Sequence, residues 1–287
     1  MSRKHAYLIE AHKDDYTFRS LLRMLDYEFN DIFIHMDKKN VSFSLEEVSG
    51  LVEKSRIYFT ERTSVVWGGY SQINAELLLL KKATETDCYA YYHLLSGEDL
   101  PIKKQSYIHD FFAKHSGTEF VRFEKEIFEC SNRVRYYYWL QEKTGRKSNF
   151  WSKAIKCIQI VLRVNRNRKV IFQKGANWFS ITDNLARYVV AKEPWIKRVF
   201  HDTVCCDEVF LQTLIINSEY KNNLTKDVFD DSNEMFMRLI DWQRGKPYIF
   251  KLCDLNEIKE SPMLFARKFS SEVDVDIIDS VVKLYAE

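Results

Sequence analysis

The sequence predicts an α/β protein with a single domain, and three observations carry that prediction. The first is an N-terminal strand, helix, strand pattern of the kind that builds parallel sheets. The second is the stretch Tyr89 to Lys104, YAYYHLLSGEDLPIKK, where an aromatic, apolar strand runs into Ser-Gly-Glu-Asp and a Leu-Pro stop. The third is composition: 287 residues, 46% hydrophobic and 29% charged, suit one large core, and no stretch reads as a linker.

Each element follows from local pattern. HAYLIEAH (His5 to His12) is an apolar run ending in polar residues, hence a first strand. Phe18, Leu21, Leu22 and Leu25 recur at helical spacing and predict a helix from Tyr16 to Phe29. DIFIHMD (Asp31 to Asp37) and RIYFTE (Arg56 to Glu61) read as the next two strands. A Trp-Gly-Gly-Tyr-Ser turn at 67 to 71 offers Ser71 as N-cap of a helix through NAELLLLKKATE, which delivers the chain to Tyr89. Lys104 to His115 suits a helix, and EFVRFE (Glu119 to Glu124) a fifth strand. Residues 1–124 thus form a doubly wound half that places His12, Asp37 and Asp99 near strand ends on one edge, where open α/β sheets bind ligands.

Residues 125–174 differ in character. RVRYYYW (Arg133 to Trp139) is aromatic and basic, and 150–168 mixes apolar and basic positions at roughly helical spacing. Between Lys143 and Lys174 lie ten Lys or Arg residues and no acidic one. Such a segment suits an anionic membrane or a phosphorylated lipid carrier; the competing reading is a solvated basic helix packed on the domain. From Gly175 the ordinary pattern returns. NWFSIT is a strand, Asp183 to Val199 a helix interrupted near Pro194, and DEVFLQTLIIN (Asp207 to Asn217) a helix opened by Asp207 and Glu208. Carboxylates at a helix start also serve as caps, so these two have a structural reading beside a chemical one. A closing helix runs through Asp276 to Leu284.

Several classes drop out. A net charge of +2 argues against a dedicated nucleic-acid binder. No apolar run approaches the ~18 residues that span a bilayer, so a soluble protein is expected. The six cysteines show neither CxxC nor zinc spacing and are expected to be free thiols in a reducing compartment. Without GxGxxG or GxxxxGK[ST] the sheet is not an ordinary dinucleotide or P-loop fold. What remains is a set of carboxylates at strand and helix ends and a late Arg267-Lys268 pair between Phe265 and Phe269. Sugar transfer from a nucleoside diphosphate needs those parts: a carboxylate to take the acceptor proton and a cation or metal to meet the leaving diphosphate.

The blocks AYLIEAH, IFIHMDKK, SVVWGGYS, YYHLLSGEDLPI, KGANWFSIT, DEVFLQTLIINS, IDW and LFARKF occur in this order. Together they closely resemble the core-2/I-branching glycosyltransferases, which include β-1,6-N-acetylglucosaminyltransferases and peptide O-xylosyltransferases. The resemblance implies a GT-A-like fold, a Rossmann-type mixed sheet flanked by helices. It also implies inverting transfer from a UDP-sugar, N-acetylglucosamine first and xylose second, with no metal and no other cofactor. The acceptor would be a glycan or lipid-linked oligosaccharide. On that footing 1–124 is the nucleotide-sugar half, 125–174 a variable insert and 175–287 the catalytic and acceptor half. The chain lacks the anchor, stem and disulfide cysteines of animal Golgi members, so a compact cytoplasmic bacterial-type relative is expected, peripheral at the inner face of the membrane if 150–168 binds there.

Residue by residue, the resemblance makes Glu208 the catalytic base, with Asp207 a neighbour that binds acceptor or shapes the site. It assigns the diphosphate to Lys268 and to Lys246 or Arg244, with Arg267 alongside. Donor contacts fall to His12, Asp37 and Trp67, with Asp99 at the floor of the site. Acceptor contacts fall to Trp242, whose ring suits a sugar face, and to Glu124 and Arg133. Two rivals stand beside this reading: a catalytically silent sugar-binding scaffold, and a metal-dependent enzyme using Glu98 and Asp99.

Overall fold

The computed structural model describes residues 4–145, 147 and 150–287; Arg146 of the basic run lies outside the described residues. The N-terminal part contains β1 (His5–Ala11), α1 (Tyr16–Met24), β2 (Asn30–Met36), α2 (Leu45–Ser49), β3 (Arg56–Phe59) and α3 (Tyr70–Thr86). Next come β4 (Tyr91–Ser96), β5 (Asp99–Pro101), α4 (Gln105–Lys114) and β6 (Phe120–Phe123). The insert holds α5 (Ser131–Arg135), α6 (Gln141–Thr144) and α7 (Phe150–Val161). Then follow β7 (Gly175–Thr182), α8 (Asp183–Ala191), α9 (Glu193–Phe200), α10 (Phe210–Ile216), β8 (Arg238–Ile240), α11 (Leu255–Glu260), β9 (Phe265–Arg267) and α12 (Val275–Tyr285).

Six strands form the main sheet in the order β3-β2-β1-β4-β7-β6. The first four are parallel, and β7 runs antiparallel to both of its neighbours. The α/β expectation is therefore met by a mixed sheet, and β7 brings the later half of the chain into it by lying between β4 and β6. Alternation along β1 shows how the sheet is buried on both sides. Ala6 and Leu8 pack with Leu80, Phe179 and Phe210 on one face, while Tyr7 and Ile9 pack with Phe18, Ile108 and Ile278 on the other. A second sheet, β5-β9-β8, sets Asp99 directly opposite Arg267.

Three local expectations are corrected. The first helix stops at Met24 rather than Phe29, because Asn30 donates to the Leu25 carbonyl and Asp26 turns to accept the backbone N–H groups of Glu53, Lys54 and Ser55. Gly69, not Ser71, caps α3; the Ser71 hydroxyl accepts from the Val66 N–H and donates to Glu142. The helix expected from Asp207 begins at Phe210 with Val209 as its N-cap, so Asp207 and Glu208 stand in the turn before it. The interruption at Pro194 is met, since α8 and α9 divide there. The six cysteines are free thiols. No described helix is long and apolar enough to cross a membrane.

Candidate functional site

The chain reverses its winding direction between β1 and β4, so the crevice outside the ends of those strands is the natural binding place. Backbone bonds knit its rim: the Asp37 N–H donates to Ala11 O at 2.8 Å and the Gly97 N–H to Glu10 O at 3.0 Å. His12 is exposed there. Asp37 is buried, accepting from the Lys39 N–H at 2.9 Å and pairing with the Lys39 ammonium at 3.1 Å.

Four charges gather across this edge where β9 meets the Ser96 to Asp99 turn. Asp99, 3% exposed, accepts from the Ser96 N–H at 2.7 Å and pairs with Arg267 at 2.7 Å. Arg267 also donates to the Ser96 hydroxyl, lies 3.7 Å from Glu98 and stacks on Trp178 at 4.5 Å. Lys268 pairs with Glu98 at 2.6 Å. Both carboxylates are thus already opposed by cations, and Asp99 acts as a brace for Arg267. Of the alternative diphosphate cations, Arg244 is enclosed by Asp241, Asp254 and Glu257, the last two at 2.7 Å, and stacks on Tyr248. Lys246 is exposed.

Glu208 is the centre of a second charged chain. Its Oε2 accepts from Arg133 Nη1 at 2.7 Å and lies 3.7 Å from Lys174 Nζ, and Lys174 also pairs with Glu124. Arg133 donates to the Cys205 carbonyl at 3.0 Å as well, which fixes its guanidinium. The Glu208 side chain keeps 37% of its surface exposed. The Gly175 N–H donates to the Glu208 carbonyl at 2.9 Å, and a Cβ at Gly175 would lie 1.7 Å from Arg122 O. Only glycine fits there, and that contact holds the Glu208 backbone against the sheet.

The structure thus brings Glu208, Arg133 and Glu124 together and adds Lys174, which sequence reasoning counted only within the basic run. Its signal was its position directly before Gly175 in KGANWF. Asp207 stands directly before Glu208 in the same turn. Its Oδ1 is buried with no hydrogen-bond partner among the described residues, and Oδ2 accepts from Gln72 at 3.3 Å. Burial, and then the charge of Glu208, pushes its pKa up to about 7. Glu10 is pushed up to about 8 by burial and by Asp207, and Glu76 is raised by burial and by both neighbours. Sequence reasoning missed this interior acid group, because Glu10 sits in an apolar strand and Glu76 in a leucine-rich helix. Asp207 therefore stands beside the interior acids Glu10 and Glu76, next to Glu208.

Trp67 and Trp242 lie at separate cavities. Trp242, 51% exposed, lines a polar cleft of 440 Å³ with Arg122, Asp231 and Asn233. Trp67 shares a cavity with Arg133 and the insert.

Comparison with known proteins places the chain in a family. The chain is 23% identical over 273 residues to a protein named xylosyltransferase sqv-6 of Caenorhabditis briggsae, covering 86% of this chain and 32% of that one. It is 24% identical to the human N-acetyllactosaminide beta-1,6-N-acetylglucosaminyl-transferase, covering 92% and 67%. With the human beta-1,3-galactosyl-O-glycosyl-glycoprotein beta-1,6-N-acetylglucosaminyltransferase it shares 26% identity over 95% of its length and 67% of the relative's. The chain therefore spans about a third of the xylosyltransferase's length. Among solved structures, apo mouse xyloside xylosyltransferase 1 aligns with a TM-score of 0.39 at 9% identity, over 92% of this chain and 97% of that one. The Core-2/I-Branching enzyme model matches residues 5–261, from the first residue of β1 past the end of α11, and the chain belongs to that family.

Proposed function

We propose that the chain is an inverting, metal-independent glycosyltransferase that moves a sugar from a UDP-sugar to a hydroxyl of a glycan or lipid-linked oligosaccharide. The observation that carries this reading is Glu208, whose side chain keeps 37% of its surface exposed while Oε2 is held by Arg133. Glu208 takes the acceptor proton as the hydroxyl oxygen attacks the anomeric carbon from the face opposite the leaving group. The bond from the anomeric carbon to the diphosphate oxygen breaks, and its electron pair leaves with UDP. Lys268, Arg267 and the exposed Lys246 meet that charge. Pairing of Glu98 and Asp99 with Lys268 and Arg267 supports a diphosphate site built on fixed cations.

N-acetylglucosamine is the favoured sugar and xylose the second, in keeping with the names of the relatives. Contact with an anionic membrane through 150–168, at the cytoplasmic face, belongs to the same proposal. It is supported by exposed Phe150, Trp151, Val161 and Leu162 beside a run of cations. Thermal unfolding with a panel of UDP-sugars, in excess chelator, tests the donor and the metal together, since a ligand of the folded state raises its stability. A Tm gain that survives chelation is expected, followed by transfer; absence of any gain across the panel would favour the scaffold reading.

A further inference from the structure

The two cavities differ in chemistry. The cleft at Trp242 offers Asp231 and Asn233, oxygen-bearing groups suited to sugar hydroxyls. The cavity at Arg133, of 420 Å³, is walled by Trp67, Trp139, Leu140 and Ile155, and its charged side chains besides Arg133 are Lys153 and Lys156. That volume lies within the ~300–1,000 Å³ of small-molecule sites, and a mostly apolar wall with a few placed polar groups is their usual anatomy. Carboxylates are absent from its described lining, which also carries Gln141, Thr144 and Ser152, so its charged groups favour an anion.

Position strengthens the case. Arg133 belongs both to the cavity and to the Glu208 contact at 2.7 Å, so the cavity begins one side chain from the base. α7, which carries Lys153, Ile155 and Lys156, also turns Ile158 and Val161 outward, and its surroundings from Lys143 to Lys174 hold no acidic residue. An apolar lining continued by exposed apolar side chains under positive charge complements an amphiphile with a negative linkage.

We infer that this cavity receives the aglycone of the acceptor: an isoprenyl or acyl chain against Trp139 and Ile155, with its phosphate linkage met by Lys153 and Lys156. The inference rests on Glu208 as the base and names the acceptor class of that same site. Sugar at Glu208 and lipid in the insert are then two ends of one molecule.

Monomeric farnesyl phosphate, below its critical micelle concentration, is the probe, and calorimetry the measurement. It should bind at least tenfold tighter than farnesol or inorganic phosphate, because only it fills both the apolar wall and the lysines. Trp139→Ala and Lys153→Glu alter exposed side chains; each should weaken binding at least tenfold while thermal protection by UDP stays unchanged. Equal binding of inorganic phosphate, or affinity unmoved by both variants, would overturn the inference. Binding to phosphatidylglycerol vesicles without binding to the monomer would also overturn it, assigning the surface to the bilayer. UDP protection in the wild type reports on the donor site independently: with it intact, a failed farnesyl phosphate titration removes the cavity assignment alone. If UDP gives no protection while farnesyl phosphate binds, the transferase reading falls and the acceptor role with it.

Discussion

Arg133 Nη1 lies 2.7 Å from Glu208 Oε2, and the same guanidinium reaches the Cys205 carbonyl two residues before the acid pair. One arginine therefore fixes both the carboxylate and the turn that carries it. A point charge on a flexible stem cannot hold both contacts at once. Arg133→Lys should lower kcat about 10- to 100-fold, the worth of a charged hydrogen bond, with little change in the KM for donor. Steady-state kinetics checks this, and an unchanged kcat would make the contact incidental.

Glu208→Gln keeps the shape and removes the base. Transfer should fall by about 10²- to 10⁴-fold, while UDP still raises Tm. Product formation at the wild-type rate would move the base elsewhere.

Lys268→Ala should weaken UDP by about 10- to 100-fold and leave uridine binding unchanged, since only the diphosphate meets the ammonium. Calorimetric titration of the two ligands separates these outcomes; equal losses would point to general damage.

Gly175→Ala places a Cβ 1.7 Å from Arg122 O, a backbone atom that cannot step aside. A loss of about 1–3 kcal/mol or more is expected from forced overpacking. Thermal or urea unfolding reads it, and activity should fall with it because Gly175 pins the Glu208 carbonyl.

Stability should peak near neutrality, with opposite causes on the two sides. His5 and His93 are buried with pKa values held well below 6.5 by desolvation, and His109 is held at about 4. The unfolded chain binds protons that these three refuse, so stability falls as pH drops below 6.5. Asp207, at about 7 against 3.8, and Glu10, at about 8 against 4.5, keep protons that the unfolded chain has released. Their contribution is full below the unfolded values and is lost as pH rises through 7 and 8. Asp207→Asn should therefore raise Tm relative to wild type at pH 8, and by more than it does at pH 4.

Much of the parallel core was legible because its signals are local. Alternating apolar runs at His5, Asp31 and Arg56 became β1, β2 and β3 within a residue or two. The placement of β7 between β4 and β6 was not, since pairing such as Tyr92 with Ile181 joins residues far apart in sequence and leaves no mark in either strand's own pattern. The site divided along the same line. A motif block carried Glu208, and Glu124 and Arg133 were named only as nearest matches outside the blocks, whereas the ion pairs of Lys174 with Glu124 and Glu208 are tertiary contacts. The acids at Glu10 and Glu76 were hidden because burial of a carboxyl group depends on what packs over it. Helix ends at Met24 and Gly69 were set by side chains bonding from other segments.

The 124 to 174 excursion leaves β6 and returns to β7, two adjacent strands, and is closed by the Glu124 N–H to Lys174 O bond at 2.9 Å and by the ion pair of the same two side chains. Closing a longer or shorter loop across fixed ends changes the entropy only slowly with length. The excursion is therefore a cassette: evolution can exchange it, and with it the tail end of the acceptor, while the clasp beside Glu208 and the sheet beneath stay in register.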